Sequence, residues 1–246
     1  MSDVGRWKHV TMRRIAAGAA GAVGVATLTL WCFAERWRDP RRLAASRDRS
    51  DRLHAVDLLR GEEDAVARGL LFRLSSDRDL RVAATAVWAL GDGHSRRNAR
   101  MLRTILDDPR RPGPIRAEAA EMLGKCAAAG PEPLIGALAG NASATVRAGA
   151  ARGLFFLPGP PAARALLGAL EDPDARVRRE AVRSLYHMTS RRFPYDPDRS
   201  PDDQQNVLDD IRTHLREAGA LPKGDPRTRP AGRREPVAFR AGGGGP

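Results

Sequence analysis

Apolar positions recur along the middle of the chain with two nested periods. Within segments they fall at helical spacing. Across segments the same pattern returns about every 31 residues. Aligning Val82, Ile115, Val146 and Val177 as a common slot brings Ala86, Ala119, Ala150 and Ala181 to offset +4. The same alignment brings Leu90, Leu123, Leu154 and Leu185 to offset +8. Offset +5 holds Val87, Ala120, Ala151 and Val182, and a weaker copy starts at Asp51 with Ala55, Val56 and Leu59. Offsets 0, 4, 5 and 8 share one face of a 3.6-residue helix. A small Ala at +4 lets a neighbouring helix approach, and the Leu at +8 fills the space beyond.

A second set of amphipathic segments alternates with these, over roughly 63–74, 96–107, 132–139 and 162–171. Asp48, Asp79, Ser143 and Asp174 stand three residues before the slot, where a side-chain oxygen caps a helix. Gly91 and Gly124 directly follow the +8 Leu, where a glycine ends a helix. A two-helix unit stacked at this period predicts an all-α fold, an α-solenoid of four to five helix pairs. Ser200-Pro201-Asp202-Asp203 reads as a helix start, and Val207, Leu208, Ile211 and Leu215 form an apolar stripe after it. That predicts a capping helix over 200–219.

The segment Asp174-Ala175-Arg176-Val177-Arg178-Arg179-Glu180-Ala181-Val182-Arg183-Ser184-Leu185 resembles the second helix of a HEAT-like repeat of the short, phycobilin-lyase type. Arg52, Arg116, Arg147 and Arg178 follow the slot, where such repeats commonly carry Arg; Ala83 departs from this. The resemblance implies a HEAT-like solenoid. It does not imply one function, because these repeats serve enzymes, adaptors and nucleic-acid binders.

Upstream, Ile15–Ala34 is a 20-residue uncharged stretch, with Arg13 and Arg14 before it and Trp31 and Trp37 near its end. At about 1.5 Å per residue it is just long enough to span a hydrocarbon core. Three readings stand: a retained transmembrane anchor, which is preferred, a cleaved secretion signal, and an ordinary helix. The expected localisation is a single-pass membrane protein, with a slight lean to a cytoplasmic C-terminal domain. The organisation expected is a basic tail over 1–14, the anchor over 15–34, a basic juxtamembrane linker over 35–46 and the repeats over 47–190. A linker and capping helix over 191–219 and a disordered tail over 220–246 complete it.

Composition narrows the chemistry. Aromatics make up only 5% of the chain and apolar residues 42%, which disfavours a β-sandwich or barrel. Two cysteines exclude a disulfide framework and a Cys-based zinc site. The net charge of +12 is spread out: residues 43–190 carry 23 basic and 18 acidic side chains, a mixed-sign surface. Offset +6 reads Asp57, Trp88, Glu121, Arg152, Arg183, changing sign along the array, so a nucleic-acid stripe is disfavoured. The five histidines, His9, His54, His94, His187 and His214, include none followed by Glu. The paired His-Glu iron ligands of the HEAT-like deoxyhypusine hydroxylases are therefore missing. No metal or cofactor is expected, and catalysis is not expected.

One local concentration remains. Phe155 with Phe156, and Tyr186 with His187, occupy offsets +9 and +10 of adjacent repeats, beside Arg152 and Arg183. They read either as core packing or as an aromatic anchor with two guanidinium forks for a carboxylate-bearing peptide. The function expected is a membrane-tethered scaffold that binds a protein partner on its concave face. The alternatives are a phycobilin-lyase-like cofactor binder or lyase, and then a nucleic-acid-binding HEAT-like protein.

Overall fold

The computed structural model describes residues 39–221. Among them there are eleven α-helices, a short 3-10 turn and no strand. Five helix pairs follow one another. They are α1 (Pro40–Ala44) with α2 (Arg49–Leu59), α3 (Ala65–Leu74) with α4 (Leu80–Asp92), and α5 (Arg96–Asp107) with α6 (Gly113–Cys126). Then come α7 (Glu132–Gly140) with α8 (Ala144–Leu154), and α9 (Pro160–Ala169) with α10 (Ala175–Thr189). A 3-10 turn (Pro201–Gln204) leads into α11 (Gln205–Glu217), which packs against α9. The pairs stack as a solenoid of two rows, with α2, α4, α6, α8 and α10 in one row. Neighbours in this second row touch along their lengths, whereas neighbours in the first row meet more sparsely. The unequal spacing bends the stack with the second row on the inside.

The repeated positions form the core. Val82, Ile115, Val146 and Val177 are buried, and the Ala at +4 and Leu at +8 of all four repeats are fully buried. Asp48, Asp79 and Asp174 cap α2, α4 and α10, accepting from Ser50, Arg81 and Arg176 amides at 2.7, 2.9 and 2.8 Å. Ser143 takes the cap position of α8 without a side-chain bond.

The arginine after the slot staples successive turns together. Arg52 donates to both carboxylate oxygens of Asp77, at 2.7 and 3.1 Å, and to the Ser46 and Arg47 carbonyls. Arg147 repeats this three repeats later, on Asp172 at 2.8 and 2.9 Å and on the Asn141 and Ala142 carbonyls. Arg178 holds four carbonyls, of Asp172, Pro173, Pro197 and Arg199. Where Ala83 breaks the series, Arg111 reaches back from a later turn to Ser75, donating to its carbonyl at 2.7 Å and its hydroxyl at 2.9 Å.

Four expectations change. Gly91 and Gly124 do not end their helices; α4 and α6 continue past them, to Asp92 and Cys126. They are points of close approach. A Cβ on Gly124 would come within 2.1 Å of the Gly153 carbonyl oxygen, and one on Gly91 within 2.7 Å of Met122. The stretch expected as a linker over 35–46 holds α1, whose Leu43 and Ala44 are buried. Leu221, placed in the tail, is buried after the chain turns back on α11. The single-pass membrane localisation is also corrected: among the described residues no helix is long and apolar enough to cross a membrane. The longest, α10, has 15 residues and carries Arg176, Arg178, Arg179, Glu180 and Arg183. Ile15–Ala34 lies outside the described residues.

Candidate partner-binding face

The inner row turns its offsets +3, +6 and +10 away from the first row, and these positions make a lattice of side chains across adjacent helices. At the N-terminal end Asp92 of α4 accepts from Arg60 at 2.6 Å and from Lys125 of α6 at 2.7 Å. Burial pushes the Asp92 carboxyl up, but the bonds from Lys125 and Arg60 outweigh it and hold the group below the ordinary carboxylate value. Trp88 donates its indole N–H to Glu118 at 2.8 Å, and the Lys125 ammonium lies 5.9 Å from the ring centroid. Towards the C-terminal end Arg152 of α8 pairs with Glu121 of α6 at 2.6 Å and lies 4.0 Å from Glu180 of α10.

Between α8 and α10 the face opens into a cleft of about 140 Å³. Five of the six candidate residues line it: Arg152, Phe155, Phe156, Arg183 and His187. Phe155 is half-buried and meets Phe156 and His187 edge-on, each with centroids 4.8 Å apart. Tyr186 does not line the cleft. Its ring sits 5.2 Å from His187 on the far side and carries Arg192 over it at 5.6 Å. The aromatic cluster therefore belongs partly to the core and partly to the surface, with Phe156 and His187 exposed.

The two guanidinium forks do not both remain open. Arg152 is engaged by Glu121 and Glu180, while Arg183 is exposed and has no ion-pair partner among the described residues. Glu180 adds a feature absent from the sequence reading: its Oε2 atom is buried in the cleft wall with no hydrogen-bond partner. A signal for the first of these pairs was available, since Glu121 and Arg152 share offset +6 in consecutive repeats. Asp92 and Lys125 share offset +10 in the same way. Opposite charges at one offset in neighbouring repeats meet across the helix contact.

Several polar groups on the cleft walls are already engaged. The Ser184 hydroxyl is committed to the Ala151 carbonyl at 3.0 Å, and His187 faces aromatic rings. Elsewhere the Cys126 thiol is buried, which raises its pKa, and it lies against the Gly93 and Ser95 carbonyls at 3.5 and 3.6 Å. Among the described residues no cluster of three His, Cys, Asp or Glu side chains is placed to hold a metal ion.

Residues 131–194 match the family model for HEAT repeats. No curated protein matches the chain. Among solved structures the chain is similar to a designed armadillo repeat protein at 17% identity and TM-score 0.38, over 75% of this chain and 93% of that one. It is similar to another designed armadillo repeat protein, solved in complex with the peptide (KR)4, at 16% identity and TM-score 0.38, over 77% and 94%. Human deoxyhypusine hydroxylase in complex with glycerol is similar at 19% identity and TM-score 0.32, over 81% and 88%.

Proposed function

We propose that this chain is a non-catalytic repeat scaffold whose inner row captures a peptide segment of a protein partner. The observation that carries the reading is the cleft between α8 and α10, where an apolar wall of Phe155 and Phe156 stands beside the exposed guanidinium of Arg183, which has no ion-pair partner among the described residues. The cleft of about 140 Å³ has room for one inserted side chain. An apolar side chain against Phe156, followed by a carboxylate on Arg183, fits these walls. The mixed-sign lattice around the cleft does not supply the continuous positive stripe that a phosphate backbone needs.

The test is peptide display against the full chain. Selected sequences should pair an aromatic or aliphatic residue with Asp or Glu. The double variant Phe156→Ala/Arg183→Ala should bind a selected peptide about tenfold more weakly, at unchanged Tm. Equal affinity for wild type and double variant overturns this site.

A further inference from the structure

The opposite end of the inner face carries a second cleft, of about 320 Å³, between α2 and α4. Its walls are Val56, Ala84, Ala89 and the ring of Trp88, and its charged groups are Asp57 and Arg60. Trp88 is 43% exposed, a large apolar surface left open on this face. The ring is held from the α6 side, where Glu118 takes its N–H and Lys125 lies near it. Since α4 lies between α2 and α6, its other side is turned to the cleft. The polar groups of the cleft are nearly all committed. Arg60 is neutralised by Asp92, and the Thr85 hydroxyl donates to the Arg81 carbonyl at 2.7 Å. Asp57 is the exception: it is exposed, with no hydrogen bond or ion pair among the described residues.

We infer that this cleft is a pocket for a cationic side chain, a lysine or arginine of a bound peptide. An aliphatic stem against Val56, Ala84 and Ala89 matches the walls, because such side chains bury their methylenes and keep the charge at a polar edge. The indole face attracts a cation, and Asp57, which has no cationic partner among the described residues, supplies the countercharge. A carboxylate-bearing side chain would meet Asp57 as a like charge, and a purely apolar one would leave it unused. The inference rests on reading the inner row as a peptide surface, but not on the cleft at Arg183.

The four tryptophans of the full chain each give an indole N–H resonance, and Trp88→Phe identifies that of Trp88. The 15N-labelled chain is titrated with the blocked pentapeptide Gly-Ser-Lys-Ser-Gly and with the same peptide carrying norleucine or Glu in place of Lys. The Trp88 resonance should shift saturably with the Lys peptide, in the millimolar range, and hardly with the Glu peptide. Asp57→Asn, on an exposed position, should weaken the Lys peptide about fivefold, while Phe156→Ala/Arg183→Ala leaves it unchanged. A Trp88 resonance that ignores the Lys peptide overturns the pocket. Equal affinity for Lys and norleucine, or an Asp57→Asn variant that binds as wild type does, overturns its cationic specificity. Because the Arg183 variant is carried in parallel, failure here and failure of the first cleft are read separately.

Discussion

Arg147 uses its guanidinium almost completely: two parallel bonds to Asp172 and two more to carbonyls of the turn before its own helix. The pair is mostly out of water, with side-chain exposures of 13% and 10%. Asp172 holds the Arg147 pKa above its ordinary value, so the cation is not relieved by losing its proton. Removing it strands a carboxylate in a poorly solvated turn. Arg147→Ala should therefore cost about 3 kcal/mol in a urea unfolding experiment. Arg147→Lys should recover less than half of that, because an ammonium does not form the parallel pair. Arg183→Ala, on an exposed and unpaired residue, should stay within about 0.5 kcal/mol of wild type. The repeated arginine was legible in the sequence as a position. The carboxylate partners of Arg52 and Arg147 were not, because they lie 25 residues on, in the next turn, and which side chain meets which depends on how far one repeat is rotated against the next. The Glu180 contact of Arg152 was hidden in the same way, whereas its Glu121 partner was open to reading from their shared offset in consecutive repeats.

At the scale of elements, the tightest contact in the molecule is between α6 and α8. Three glycines make it: Gly124, Gly149 and Gly153 each face backbone of the opposite helix with no room for a Cβ. On Gly153 a Cβ would stand 2.5 Å from the Ala120 carbonyl oxygen, and backbone in a packed helix does not move aside. Gly153→Ala should destabilise the protein by about 3 kcal/mol through overpacking. Gly136→Ala is the control. It lies within α7 with open space around it, so the variant should gain about 0.5–1 kcal/mol from helix propensity. Urea midpoints moving in the same direction would contradict the packing described. The helix pairs themselves followed from the period of apolar residues. Gly91 and Gly124 were misread as stops because, from composition alone, a glycine that ends a helix and one that admits a neighbour look the same.

The described helices make their main contacts with near neighbours in the stack, as stacked repeats do, so the end of the array is where it is most exposed to loss. There α11 buries Leu208, Ile211 and Leu215, Arg212 pairs with Glu171 at 2.5 Å, and the Tyr195 hydroxyl donates to the Leu170 carbonyl. Leu208→Ala should strip hydrogen-exchange protection from α9 and α10 while leaving α2 to α6 protected. Uniform loss across all five pairs would mean that the solenoid unfolds as one unit. The capping helix was legible from its N-cap and apolar stripe. The loop before it was not, since Tyr195 and the buried Gln204, which grips both the amide and the carbonyl of Asp196, follow no period. A last consequence concerns mechanics. From α4 to α8 the inner row is in close contact, and turns along the array are stapled by arginine, whereas the outer row has gaps of about 550 Å³ between α5 and α7 and about 490 Å³ between α7 and α9. A load along the array would then be taken up by those gaps opening and shutting, like a book flexing about its spine, and the inner face would keep its length as the molecule bends.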